Sequence, residues 1–303
     1  MVKILKTIKK SPVCLINGIA ADFLSIDDRS IHYGDGLFET ILCNHRRLYY
    51  WSQHFNRLRD SAGRLNIDCP DEQSLLDDVR VLLADTAESC VIKIILSRGS
   101  SGRGYRYDKD ISANRIVMRS AVEHFHSSLL SKQLLSGDLF LCQQQVSINR
   151  NLAGIKHLNR LENVMARNEL NVKAKAGTST RAQQFADGLM LNDYLHVIEG
   201  TMSNLFAVKD GILLTPDLSV SGICGVMRQH ILALSAELRI ETVIKDITLD
   251  ELKNMDEIFI CNSVIGIKSI DKFEGVNLHK PGISNRIFNA ILDHREVDFR
   301  TLC

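Results

Sequence analysis

Apolar residues change period several times along this chain, and each change marks an element. Val13 to Ile16 is a short apolar run closed by Asn17-Gly18, which predicts a strand, a tight turn and a second strand. Tyr33-Gly34-Asp35-Gly36 reads as a tight loop, Leu37 to Cys43 as a strand, and Arg46-Arg47 as a turn before Leu48 to Trp51. From His54 the period lengthens: Phe55, Leu58, Ala62 and Leu65 form one helical face, with Arg57 off the stripe. A second helix is expected from about Glu72 to Thr86. Strands are expected at Val91–Leu96 and Ile116–Arg119, separated by the glycine-rich run SRGSSGRGY. The second half predicts strands around Leu139–Val146, at Gly188–Leu191 and at Tyr194–Val197. A hairpin turning at Asp210-Gly211 joins Leu205–Val208 to Ile212–Thr215, a helix follows SGICG, and Ile258–Cys261 is a buried strand. Residues 1–12 read as a frayed extension and 173–184 as a polar loop or helix end. The elements sort into an α+β protein of two units, 1–125 and 126–303.

Composition narrows the function without naming it. At 303 residues and 45% apolar content the chain can bury a substantial core. A net charge of +1 argues against a coat for nucleic acid or anionic membrane. No apolar run reaches the roughly 18–20 residues that span a bilayer, and the basic N-terminus lacks the pattern of a signal peptide. The eight cysteines show no CxxC pair and no zinc spacing, so a cytoplasmic protein with reduced thiols and no metal is expected. The arginine–glycine run at 98–105 is too short, and too poor in interleaved aromatics, to suggest RNA binding.

Candidate chemistry centres on NRNLAGIKHLNRLENV. Leu152, Ala153, Gly154 and Ile155 lead to a single lysine, Lys156, and Leu158, Leu161 and Met165 then recur at helical spacing. A helix is expected just past the lysine. An amine held in such a packed segment loses hydration, which lowers its pKa and makes it nucleophilic toward carbonyls.

Six segments, HYGDGLFET, HFNRLRDSAGRL, SRGSSGRGY, LAGIKHLNRLENV, IEGTMSNLFAV and SGICGVMRQ, resemble in order and spacing those of the fold-type IV pyridoxal-phosphate enzymes. That family holds branched-chain and D-amino acid aminotransferases and 4-amino-4-deoxychorismate lyases. SRGSSGRGY and AGIKHLNRLENV are most similar to the lyase branch. The resemblance implies a two-domain fold with pyridoxal 5'-phosphate between the domains, and a homodimer acting on a small molecule. Lys156 then matches the lysine that holds the cofactor aldehyde, and Glu199 the carboxylate facing the ring nitrogen. Arg57 matches the phosphate arginine, with Gly225, Val226, Met227, Asn262 and Ser263 completing the phosphate cup. Tyr33, Arg103 and Tyr105 match positions on the substrate side, the last two on a loop that reaches a neighbouring subunit in relatives. After GDG the lyases often read Phe-Thr-Thr, whereas this chain has Phe38-Glu39-Thr40, a glutamate common among the aminotransferases. Thr40 is the candidate substitute for the substrate-facing threonine. The lyase branch implies cleavage of aminodeoxychorismate to 4-aminobenzoate and pyruvate in folate biosynthesis; the alternative is amino acid transamination.

Overall fold

A computed structural model describes residues 13–122, 127–176, 185–278, 281–294 and 299–302. The first half builds a sheet from β1 (Cys14–Ile16), β2 (Ile19–Ala20), β3 (Gly36–Asn44), β4 (Arg47–Tyr49), β5 (Cys90–Ser97) and β6 (Asn114–Ala121). Around it lie α1 (Arg29–Tyr33), α2 (Trp51–Leu65) and α3 (Glu72–Leu82). The expected period holds in α2, where Leu58 and Ala62 are buried and Phe55 and Leu65 pack partly against the same cluster. Asp71 caps α3 by accepting from the Ser74 amide. The helix stops at Leu82, short of the expected Thr86, and passes into turns.

The second half contains α4 (Ser128–Ser131), β7 (Leu135–Leu141), α5 (Leu161–Ala176), β8 (Phe185–Leu191), β9 (Val197–Gly200), β10 (Asn204–Lys209) and β11 (Ile212–Pro216). It continues with α6 (Val226–Glu237), β12 (Thr242–Lys245), α7 (Leu249–Lys253), β13 (Glu257–Asn262), β14 (Gly266–Phe273), β15 (Val276–Asn277), α8 (Ile283–His294) and β16 (Phe299–Thr301). The last strand returns to the first sheet, whose order is β16-β4-β3-β5-β6-β1-β2, antiparallel throughout. The expected boundary at residue 125 and the extension at 1–12 lie outside the described residues; of the expected polar loop or helix end at 173–184, residues 173–176 finish α5 and 177–184 lie outside the described residues.

In the second sheet the path β10-β13-β14-β7-β8-β9 closes on itself, because Asn204 of β10 pairs with Glu199 of β9. Six strands therefore form a barrel, with β11 and β12 extending from β10. Apolar residues such as Leu189, Val197, Leu205, Ile258, Ile260 and Ile270 form one buried cluster of this unit. A second cluster joins β10 and β13 to α6 and α8 and takes in Leu42, Tyr49 and Tyr50 of the first unit. Among the described residues no helix is long and apolar enough to cross a membrane.

Two expectations fail for local reasons. The helix after the lysine begins at Leu161, not directly past Lys156, because Leu158 donates its amide to the Gly36 carbonyl at 3.0 Å and His157 bridges Leu37. Edge pairing to β3 claims those residues first. Tyr194 and Leu195 lie in a turn, not a strand, since the Asn192 carboxamide accepts the amides of Tyr194 and His196 at 3.0 and 3.1 Å.

Gly225, the residue before α6, sits so close to Asn204 that an added Cβ would meet its Oδ1 at 2.0 Å. That oxygen accepts the Gly225 amide at 3.1 Å, and the Asn204 Nδ2 donates to the Ile223 carbonyl at 2.9 Å. Gly225→Ala is expected to displace Asn204 and cost about 2–3 kcal/mol in urea unfolding, from two lost buried hydrogen bonds. A loss below about 0.5 kcal/mol, the ordinary cost of an unimportant surface change, would show that Asn204 yields freely.

Candidate active site

The lysine segment is held from both sides. Its Lys156 carbonyl accepts from the Phe38 amide at 3.0 Å, tying it to β3 of the first unit. Two residues earlier, the Gly154 amide donates to the Gly222 carbonyl at 2.9 Å, and the Gly154 carbonyl accepts from Cys224 at 3.2 Å. Gly154 has φ +81°, and a Cβ there would press on the Cys224 Sγ at 3.2 Å. The left-handed backbone and the contact both call for glycine.

Lys156 projects into a cavity of about 400 Å³ between the two units. Phe38 and Thr40 of β3 form one wall, and Glu199, Asn204, Val226 and Ser263 stand among the residues opposite. The Lys156 Nζ lies 4.3 Å from the centre of the Phe38 ring. Among the described residues no group hydrogen-bonds this amine. Burial, followed by the positive charge of Arg57, lowers its pKa to about 8.

Glu199 sits where the barrel closes and is almost fully buried. Its Oε2 accepts the Ile223 amide at 2.8 Å, while Oε1 has no partner among the described residues. Burial raises its pKa to about 7 against the opposing pull of the Ile223 amide, Arg160 and Lys156. A buried carboxylate oxygen left without a donor fits a ligand that brings an N–H or N⁺–H. The loop after Glu199 is fixed by Asp187, fully buried, which accepts from the Thr201 and Ser203 hydroxyls at 2.5 and 2.6 Å. Asp187 was not legible as a site residue because its partners lie 14 and 16 positions away, across a strand turn.

Arg57 reaches the cavity from α2, and it is not a solvated helix charge. Its Nε and Nη2 donate to Glu39 at 2.8 and 2.5 Å, and Nη1 donates to the Cys224 carbonyl at 3.0 Å. His54 adds a third bond to Glu39, from Nδ1 at 2.6 Å. Burial keeps the His54 imidazole below its usual pKa despite Glu39, so the neutral ring donates. For Glu39 itself burial works upward, but Arg57 and His54 outweigh it and hold the carboxyl at about 2. Glu39 therefore faces α2, away from the cavity, while its neighbours Phe38 and Thr40 face in. Alternation along β3 separates them.

At the far end α6 begins with Gly225 as its N-cap, without a side-chain cap, and Gly225 and Val226 line the cavity. The Met227 side chain instead turns into the core. The Asn262 carboxamide accepts the amides of Val264 and Ile265 and donates to the Met202 carbonyl, and the Ser263 hydroxyl donates to the Thr40 carbonyl at 3.0 Å. Arg57, the uncapped helix start and Ser263 line the same cavity as the unpartnered oxygen of Glu199, and together they could hold an anion.

Tyr33, Arg103 and Tyr105 lie elsewhere. Tyr33 and Arg103 line a separate cleft of about 460 Å³. The Tyr33 hydroxyl accepts the Gly104 amide at 3.1 Å and its ring stacks obliquely on Tyr105 at 5.2 Å. The loop is shaped by Arg29, which sequence reading missed: its guanidinium donates to the Ser101 hydroxyl and to the carbonyls of Gly104, Tyr105 and Arg106. Within one chain this cleft does not join the lysine cavity.

Comparison with known proteins identifies the family. The family model described as amino-transferase class IV matches residues 36–273. An aminodeoxychorismate lyase of Vibrio harveyi is 36% identical over 256 residues, covering 84% of this chain and 89% of that protein. A D-alanine aminotransferase of Listeria monocytogenes is 26% identical, with 84% of each chain covered. Among solved structures, a 4-amino-4-deoxychorismate lyase from Pseudomonas aeruginosa is 32% identical with a TM-score of 0.77, covering 92% of this chain and 98% of that one. Pyridoxal 5'-phosphate is the cofactor of this class, and an amine, an unpartnered buried carboxylate oxygen and groups that could hold an anion, sharing one cavity, fit it. The chain belongs to the class IV aminotransferase family, with the fold-type IV architecture.

Proposed function

We propose that this protein is a 4-amino-4-deoxychorismate lyase, releasing 4-aminobenzoate and pyruvate for folate biosynthesis in the cytoplasm. The observation that carries this reading is the 36% identity to a lyase over most of both chains. The geometry of β3 supports it, since the threonine and not the glutamate of Phe38-Glu39-Thr40 lines the cavity.

Each residue has a part. Lys156 would hold the cofactor aldehyde, Glu199 the ring nitrogen, and Arg57 with the Gly225–Met227 amides and the Asn262-Ser263 step the phosphate. When bound, the cofactor supplies an electron sink for the pair left behind as a proton leaves the carbon beside the substrate nitrogen. The overall change removes one ring proton, breaks the C–O bond to the enolpyruvyl group and adds one proton to the departing three-carbon unit. It consumes no oxidant, reductant or water. Lys156 takes the ring proton at Nζ, and a pKa of about 8 leaves a useful neutral fraction near neutrality. Thr40 presents the substrate-facing hydroxyl. Glu199 keeps a proton at the ring nitrogen through Oε1.

The working unit in this reading is a homodimer, in which Tyr33, Arg103 and Tyr105 serve the neighbouring subunit's cavity. Exposed apolar side chains support it, with Phe23, Ile26 and Ile31 in the segment that leads to the cleft and Leu161, Val164 and Met165 on α5.

Purified protein is expected to release 4-aminobenzoate from aminodeoxychorismate, and Lys156→Ala to abolish that release. Steady turnover of amino acid and 2-oxo acid pairs, with no 4-aminobenzoate formed, would instead make the protein a transaminase. Glu199→Gln should slow turnover by orders of magnitude yet stabilise the cofactor-free chain above neutral pH. The sign follows from the raised carboxyl pKa: its stabilising contribution is complete below about 4.5 and is lost as pH rises through about 7. Urea unfolding of the cofactor-free proteins at pH 8 should favour Glu199→Gln by up to about 3 kcal/mol, an advantage that shrinks toward pH 5. A variant less stable than wild type at both pH values would mean that Glu199 is not held at a cost.

A further inference from the structure

The proposed chemistry uses three cations, Lys156, Arg57 and Arg103, and leaves a fourth unexplained. Arg160 lines the lysine cavity and also an outer cleft of about 550 Å³ that runs past Ser147, Asn149 and Glu162. It stands at the boundary between the two spaces. Its acceptors are all neutral: the His157 carbonyl at 3.0 Å, the His157 Nε2 at 2.5 Å, the Ile155 carbonyl at 3.5 Å and the Asn163 Oδ1 at 3.5 Å. Among the described residues no carboxylate lies within ion-pair distance, and Nη1 has one N–H to spare. Arg57 differs, because Glu39 already balances its charge.

His157 strengthens the case. Accepting at Nε2 leaves its proton on Nδ1, and that buried nitrogen has no partner among the described residues. Burial, followed by the charge of Arg160, pushes the ring down to about 4, so it braces the guanidinium without adding positive charge. A guanidinium hydrogen-bonded only to neutral groups, whose desolvation Glu199 and Glu162 offset only in part from beyond ion-pair distance, is costly until an anion arrives. A planar fork suits a carboxylate.

We propose that Arg160 is a specificity-determining residue that binds one carboxylate of the substrate where the outer cleft meets the cavity. This rests on the lyase reading, whose substrate carries two carboxylates: one on the ring, retained in 4-aminobenzoate, and one leaving with pyruvate. Arg103 from the neighbouring subunit accounts for one and Arg160 for the other.

The test is binding to the cofactor-loaded enzyme, followed by the cofactor absorbance or by calorimetry. 4-Aminobenzoate is compared with 4-aminobenzamide, and pyruvate with pyruvamide. Wild type should prefer the acid in each pair by roughly tenfold or more, the value of one charged hydrogen-bonded contact. Arg160→Gln should abolish the preference in one pair and leave the other, which identifies the carboxylate. Arg160→Lys should keep part of it, and both variants should retain cofactor with a dissociation constant within about twofold of wild type. Preference undiminished in both pairs would overturn the proposal. Loss of cofactor by both variants would overturn it too, because Arg160 would then serve the cofactor and not the substrate. Failure of wild type to cleave aminodeoxychorismate would refute the lyase reading alone, since the acid-against-amide comparison needs no turnover.

Discussion

Hydrogen bonding of the Gly154–Leu158 segment to two different units is the constraint from which the active cavity follows. On one side the Lys156 carbonyl and the Leu158 amide pair with the start of β3, and on the other Gly154 pairs with the loop before α6. A backbone pinned at both edges cannot relocate its side chains independently, so Lys156 enters the space between the units from a fixed height. The same loop, from Gly222 to Gly225, receives Glu199 at Ile223, Asn204 at Ile223 and Gly225, and Arg57 at Cys224. These two short backbone segments thus set the relative positions of the amine, the buried carboxylate and the end of the cavity that Arg57 and the start of α6 line. Precise placement of this kind is what a cofactor with three separately recognised parts demands.

Charge in and around the cavity is arranged against stability. Among the described residues Glu199 lacks a partner on one oxygen, Lys156 lacks any hydrogen bond, and Arg160 lacks an ion pair, with Glu199 and Glu162 acting on it only from a distance. Each is a group that a folding-only core would replace. Arg57 is the counterexample, because Glu39 and His54 behind it hold the guanidinium at its edge and leave donors toward the cavity. The contrast separates a charge needed for rigid orientation from charges that wait for a ligand. Burial moves Glu199 up and Lys156 down toward the same pH, a displacement that suits a site of proton transfer.

Much of this was visible in the sequence wherever the signal was local. The period of α2, the Asp210-Gly211 hairpin and the glycine before α6 each depend on a few neighbouring residues, and each element formed where expected. Residues whose meaning depends on distant partners were harder to read. Asp187 resembles any strand residue until Thr201 and Ser203 fold back on it, and Arg29 resembles any short-helix arginine until the loop at 101–106 wraps its guanidinium. Barrel closure through Asn204 and Glu199 is a single pairing, with no periodicity to announce it. The early start expected for α5 failed for the opposite reason: Leu158, Leu161 and Met165 carry a genuine helical period, yet tertiary pairing with β3 took the first of them.

Phe38-Glu39-Thr40 shows how a strand can mislead when read one letter at a time. A glutamate where lyases often carry threonine suggests a changed pocket, but side chains on β3 alternate, and the glutamate lies on the face that packs against α2. Its effect on the chemistry is indirect, through the orientation of Arg57. Any difference between elimination and transamination must therefore come from residues that face the cavity or are brought to it. Thr40, on the same wall as Phe38, and Arg160, which also lines the outer cleft, are the candidates. In the proposed reading Lys156, Glu199 and Arg57 would serve both reactions alike, so their presence fits the cofactor and says nothing about the fate of the substrate. Selectivity between the two outcomes then belongs to groups that recognise what surrounds the amine, and a substrate with two carboxylates gives an otherwise unbalanced arginine a reason to be there.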